Sequence, residues 1–275
     1  MAFSAHFEQN VLFHTSSVLA HEGIVHGFST RVGGVSTGVF ASMNLRLGGS
    51  VSDERDNISE NYRRFCLAVG ADPKGIVPAK QVHDDTLRVV TRDDACGDLF
   101  DQRDYTADAL ITNESGLSLM VFSADCGIFL LHDRERGCIG AVHAGWRGTA
   151  LGLPAKAVSE MVKQYGADPG RIRVAMGAGI GPCCFETDED VPEAMVNAFG
   201  SGALAYCRRK GGKWMVDLRG LNFWQLREAG IREEHLDALE RCTACESDLY
   251  WSHRVMGDKR GVQAALISLK GADCT

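Results

Sequence analysis

A chain of 275 residues, 45% hydrophobic and 24% charged, can bury a sizeable core as one large domain or two small ones. Its net charge of -7 supplies no basic face and argues against general nucleic-acid binding. No apolar run reaches the ~18 residues of a membrane span, so no membrane role is expected.

Residues 1–6 lack a basic start followed by an apolar stretch, so no signal peptide is expected. Ten cysteines spread through a long chain read as reduced cytoplasmic thiols rather than a disulfide framework. The expectation is a single domain over residues 1–275, cytoplasmic, working as a monomer or small homo-oligomer.

Residues 10–28 read as an opening strand region. Residues 29–38 then carry Arg31, Gly33 and Gly34. One arginine beside glycine amides can seat an anion, although an ordinary glycine turn uses the same letters. Residues 53–69 predict a helix, with Ile58, Tyr62, Phe65, Cys66 and Val69 on one stripe. Gly70 caps it and Pro73 prevents continuation. His83 precedes a predicted strand at 86–90, and a lone histidine among polar residues is ordinarily solvated. Residues 92–104 are acidic and predict a surface loop.

Residues 107–112 and 116–122 predict short strands, the second delivering Ala124-Asp125-Cys126 at its end. Two apolar runs, 128–131 and 138–142, flank a polar turn and predict a hairpin. A turn centred near Glu135 places Cys126 opposite His143 or Ala144, with Cβ atoms roughly 4.5–5.5 Å apart. A thiol and an imidazole would share one sheet end. A buried cysteine beside a core histidine is the plain alternative. The flanks speak against it: Asp125, Trp146 and Arg147 are costly to bury, and Gly145 and Gly148 allow close backbone approach.

Thr149 predicts the N-cap of a helix running to Tyr165. Gly166-Ala167-Asp168-Pro169 ends it with the same four letters as Gly70-Ala71-Asp72-Pro73, either a faint repeat or two similar helix stops. Residues 172–176 predict a strand. The glycine-rich loop 177–186 has Pro182 where G-x-G-x-x-G needs its third glycine, so a dinucleotide site is not indicated. Helices are predicted at 188–199 and 218–229, and a last strand at 264–269. Cys242-Thr243-Ala244-Cys245 stands as a lone C-x-x-C without a second pair, so a structural zinc knuckle is not expected. Alternating strands and helices define an α/β body.

The stretches His26–Ser36, Gln81-Val82-His83, Ala107-Asp108-Ala109, Ala124-Asp125-Cys126, His143–Thr149, Gly179–Glu186 and Ser252-His253-Arg254 resemble, in order, the YfiH-type laccase-domain family. The resemblance covers nearly the whole chain. It implies a four-layer α/β/β/α sandwich with mixed sheets, a fold shared with cysteine hydrolases. It implies a metal site at His83, Cys126 and His143, usually zinc, a His₂Cys set with an open position as in catalytic zinc centres. Family members are known both as polyphenol oxidases and as purine nucleoside phosphorylases. The second role implies phosphorolysis of adenosine, inosine, guanosine and methylthioadenosine, plus adenosine deamination. Two departures are visible. Ile128 stands where the family usually has proline, and His253-Arg254-Val255 where it often has an aromatic residue and two arginines.

Phosphorolysis needs a cationic seat for phosphate. Arg31 with the Gly33 and Gly34 amides, and Arg147 beside His143, are the candidates. Deamination needs an activated water and a proton shuttle, for which Asp125 or Glu186 are candidates. The H-x-E with P-C-x-x-C signature of zinc deaminases is absent. A copper oxidase is the alternative, but the nine histidines include no pair separated by one residue, so a coupled copper cluster is not indicated. Two further classes stay open: a hydrolase with Cys126 as nucleophile and His143 as base, and a binding protein with a vestigial site.

Overall fold

The computed structural model describes residues 2–49, 51–101 and 104–270. Among them the strands are β1 (Phe3–Glu8), β2 (Val11–Ser16), β3 (Ile24–Ser29), β4 (Ile76–Pro78), β5 (Leu87–Val89), β6 (Ala109–Thr112), β7 (Ser118–Ser123) and β8 (Gly127–Asp133). They continue with β9 (Cys138–Ala144), β10 (Arg173–Met176), β11 (Glu186–Thr187), β12 (Cys207–Lys210), β13 (Lys213–Val216), β14 (Leu236–Ala238) and β15 (Gln263–Leu269). The helices are α1 (Arg55–Val69), α2 (Trp146–Ala150), α3 (Leu153–Tyr165), α4 (Asp190–Phe199), α5 (Leu218–Glu228) and α6 (His253–Met256). No helix among the described residues is long and apolar enough to cross a membrane.

Two six-stranded sheets form the body, ordered β1-β2-β3-β15-β7-β4 and β14-β10-β8-β9-β6-β5. Both are mixed: β4–β7, β5–β6 and β10–β14 run parallel, and the other pairs antiparallel. Alternation along each strand splits its side chains between two faces. Leu119 and Val121 of β7 meet Leu110, Ile128, Leu130 and Ala141 in a core between the sheets. Met120, Ala264 and Leu266 face the other way, onto Ile58, Tyr62 and Phe65 of α1. Phe129, Leu131 and Val142 turn outward in the second sheet, onto Ala157, Val158 and Met161 of α3 and Leu226 of α5. The cores therefore stack in the order α1, first sheet, second sheet, α3 with α5. A small sheet, β11-β13-β12, packs with α4 around Trp146 and Phe185.

The repeated Gly-Ala-Asp-Pro letters are two helix stops: Gly70 and Gly166 both take left-handed conformations at the C-caps of α1 and α3. Two expectations are corrected. Thr149 does not cap a long helix; it lies inside α2, and its hydroxyl accepts from the Asn222 amide at 3.0 Å. The helix break falls at Gly152, whose φ of 73° suits glycine, and Pro154 opens α3. Residues 92–104 are not wholly a solvent loop, because Leu99 and Phe100 pack against the α1 core.

Candidate metal centre

The chain crosses from the first sheet to the second through Ala124-Asp125-Cys126, between β7 and β8. The hairpin register pairs Gly127 with Ala144 and Ile128 with His143. Cys126 thus falls across from Gly145, one position beyond the expected partner. The turn is longer than a centre at Glu135 requires. Asp133 still pairs with Cys138, and the Asp133 carboxylate accepts from the Glu135 and Arg136 amides within the turn. The shift keeps the chemistry together. Cys126, Ile128 and His143 share one face of the sheet, because strand side chains alternate with period two. Cys126 and His143 are diagonal neighbours on it.

Gly145 makes the approach possible: a Cβ there would lie 2.8 Å from the Cys126 Sγ. His83 comes from the loop before β5. Its ring meets the His143 ring edge-on, with centroids 4.8 Å apart. The ligand atoms of His83, Cys126 and His143 all lie within 4.8 Å of one another.

Two residues of this corner hold left-handed backbone conformations unusual outside glycine: His83 at φ 65° and Asp125 at φ 95°. Each is held by a carboxylate. Asp108, buried just before β6, accepts from the Val82 and His83 amides at 2.8 and 3.1 Å. Asp125 accepts from the Thr243 hydroxyl at 2.6 Å and the Arg254 amide at 2.7 Å. Strained backbone of this kind persists where the surroundings over-determine it, and it gathers at functional sites.

Asp108 also bonds Nδ1 of His143 at 2.7 Å. That leaves Nε2 of His143 for the Cys126 side. Burial alone would raise the Asp108 carboxyl, but the His143 ring and the Val82 and Asp84 amides hold it below its ordinary value. Burial pushes the Cys126 thiol up, yet the positive charge of His143 and bonds from both imidazoles outweigh it and bring the thiol down to about 6. Burial lowers His143, and the Cys126 and Asp108 charges reverse this and raise it to about 9. A thiolate facing two imidazoles, one oriented by a carboxylate, is a donor set that suits a divalent metal with an open position.

A cavity of about 800 Å³ opens over this set, lined by His83, Cys126, His143, Phe100, Phe122, Arg46, Arg55, Lys80 and Arg260 among others. That is ample for a nucleoside-sized ligand. Arg46 donates to the Asp258 and Arg260 carbonyls. Arg260 is mostly enclosed, and its Nε is buried without a partner. Burial and the neighbouring Arg46 charge lower its pKa. Arg46 and Arg260 thus bring two guanidiniums to one side of the cavity.

The structure places the other sequence-predicted residues elsewhere. The Arg31 guanidinium donates to the Ala41 and Ser247 carbonyls and stacks over Trp251 at 4.1 Å. The Gly33 and Gly34 amides donate to the Ser42 hydroxyl. Those donors are committed within the protein, and Arg31, Gly33 and Gly34 do not line the cavity, whereas Arg46 and Arg260 do. Arg147 is exposed and lies over its neighbour Trp146 at 4.2 Å. Glu186 is exposed on β11, and its carbonyl accepts from Arg254. Neither lines the cavity. Asp125 supports the backbone beside Cys126 rather than facing the cavity. The sequence reading passed over Asp108, although its Ala-Asp-Ala motif was visible, and over Arg46 and Arg260.

Two mixed sheets with a His–Cys–His corner at their crossover define an α/β protein with a candidate metal centre. Residues 25–270 match the model of the family described as multi-copper polyphenol oxidoreductase laccase. The chain belongs to that family. It is 34% identical over 235 residues to purine nucleoside phosphorylase YlmD of Geobacillus stearothermophilus, covering 84% of this chain and 85% of that one. It is 32% identical over 240 residues to adenosine deaminase RL5 from an unknown prokaryotic organism, covering 86% and 91%. The crystal structure of hypothetical protein YfiH from Bacillus licheniformis superposes with a TM-score of 0.87 at 30% identity, covering 95% of this chain and 97% of that one.

Proposed function

We propose that the chain is a zinc-dependent purine nucleoside phosphorylase acting on adenosine, inosine, guanosine and methylthioadenosine, with adenosine deamination as a side activity. The observation that carries this reading is that one cavity holds both the Arg46–Arg260 pair and the His83–Cys126–His143 set. The names of relatives such as YlmD and RL5 agree with it.

Phosphate is assigned to Arg260 and Arg46, whose guanidiniums line the cavity and would give it charge-assisted bonds. Phe100 and Phe122 offer aromatic walls to the purine. The Gln81 side chain fixes the second wall, donating to the Phe122 carbonyl and accepting from its amide. Asp108 holds the His143 ring so that Nε2 turns toward Cys126. A phosphate oxygen attacks the anomeric carbon, the glycosidic bond breaks, and its electron pair leaves with the base, which takes up the proton the phosphate gives up. His83, Cys126 and His143 would hold the zinc, which would supply Lewis-acid character there.

The test is release of hypoxanthine from inosine with and without phosphate, together with zinc content. Release that requires phosphate supports the reading, and equal release in phosphate-free buffer removes it. A second reading, a cysteine hydrolase, is favoured by the Cys126–His143–Asp108 order, which matches nucleophile, base and orienting carboxylate. The two separate on His83→Ala. Loss of zinc and turnover favours the phosphorylase, and full activity without metal favours the hydrolase.

A further inference from the structure

We propose that Cys183, Cys184, Cys242 and Cys245 bind a second zinc ion as a tetrathiolate that ties the 177–186 loop to the 242–245 loop behind Cys126. The sequence shows one C-x-x-C and an adjacent cysteine pair far upstream, which no local spacing rule joins. The fold joins them. All four sulfur atoms lie within 4.8 Å of one another. Cys245 Sγ lies 3.6 Å from that of Cys183 and 3.4 Å from that of Cys184.

These separations fit one ion. Bonds of about 2.3 Å in a tetrahedron put sulfurs about 3.8 Å apart. A disulfide requires about 2.05 Å, well inside the observed distances, and Cys245 stands about equally near two partners. The Gly181 amide points at the Cys242 sulfur at 3.2 Å, a charge-assisted bond once that sulfur is a thiolate. Four soft sulfur donors favour zinc or iron over magnesium, calcium or manganese, and zinc is the ion assigned here. Cys183 and Cys245 are exposed, which leaves an entrance for the ion.

The two loops already interlock beside the first centre. Gly179 bridges to Cys242, and the Thr243 amide donates to the Gly179 carbonyl at 3.1 Å. The Thr243 hydroxyl reaches Asp125, and the Ile180 amide donates to the Asp125 carbonyl at 2.7 Å. Both loops therefore touch the residue before Cys126. An ion holding them together supports the left-handed turn that presents the thiol.

Metal content of the whole chain and of His83→Ala/Cys126→Ser tests this, after expression with added zinc. The double variant empties the first centre and is expected to keep one zinc per chain. Zinc-edge X-ray absorption on it should read four sulfur neighbours at about 2.3 Å. In the unsubstituted protein these four cysteines should resist alkylation until a chelator is added, and Cys184→Ser/Cys245→Ser should lose one zinc. Three results overturn the proposal: a folded double variant without zinc, a shell containing nitrogen or oxygen, or rapid alkylation of all four cysteines in the untreated protein. The alkylation readout needs no substitution, so it holds even if a variant misfolds.

Discussion

Nδ1 of His143 and Oδ1 of Asp108 lie 2.7 Å apart, both buried, at the end of the second sheet. The contact fixes the ring and its tautomer, and the same carboxylate holds the loop carrying His83. One side chain therefore positions two of the three candidate ligands. Asp108→Asn keeps the shape but replaces an acceptor oxygen with a donor amide. Loss of such a partner weakens metal binding by about 10–100-fold. Zinc affinity measured by chelator competition should fall in that range, with turnover falling alongside. Unchanged affinity would remove Asp108 from this role.

Gly145→Ala tests how closely the thiol is fitted. The new Cβ would lie 2.8 Å from the Cys126 sulfur, too close for either to stay in place. The thiol must shift from the two imidazoles, so zinc and nucleoside cleavage should be lost while the circular dichroism spectrum is kept. Gly148→Ala is the control. Its Cβ would meet nothing closer than 3.5 Å, and it sits inside α2. Alanine there should be neutral or stabilise by up to ~1 kcal/mol. Equal loss in both variants would contradict the close approach at Gly145.

Acid stability follows from three buried histidines outside the centre. Burial lowers His14, His26 and His132 to about 4 each, from 6.5. His26 accepts the Ser16 amide at 2.9 Å, a role only the neutral ring can fill. The unfolded chain takes up these protons below pH 6.5, and the native protein only near 4. The stabilising contribution is thus full above 6.5 and lost as pH falls toward 4, by at most about 1.4 kcal/mol per group per pH unit. Unfolding midpoints between pH 7 and 4.5 should fall accordingly, and His26→Gln should flatten the slope. An unchanged midpoint down to pH 4.5 would contradict it.

Periodicity carried most of the body. The α1 stripe, the β8–β9 hairpin and β15 were all legible, because each buries one face and alternation or helical spacing records that face directly. The hairpin brought Cys126 and His143 to one sheet end from sequence alone, one residue off in register. His83 and Asp108 were not legible as partners, since neither lies on a patterned face and only the packing of a loop onto β6 joins them. The second cysteine pair was hidden for the same reason. The anion seat is a different case. Arg-x-Gly-Gly occurs twice, as Arg31-Val32-Gly33-Gly34 and Arg46-Leu47-Gly48-Gly49, and local letters cannot rank the two copies.

The last prediction separates those copies. Arg31 donates to the Ala41 and Ser247 carbonyls and stacks on Trp251, so Arg31→Ala removes these bonds and the stacking contact. It should lower stability by about 0.5–1.5 kcal/mol for each bond lost and leave the phosphate dependence of inosine cleavage unchanged. Arg260 keeps a buried Nε without a partner beside Arg46 in the cavity. Arg260→Ala removes a charged donor worth about 1.5–3 kcal/mol to a bound anion, which corresponds to a rise of about tenfold to a hundredfold in the KM for phosphate. Arg260→Lys should recover part of this, because the charge returns without the guanidinium fork. Thermal melts and phosphate titrations on the three variants decide the matter. A raised phosphate KM for Arg31→Ala, with Arg260→Ala unaffected, would return the seat to the first copy.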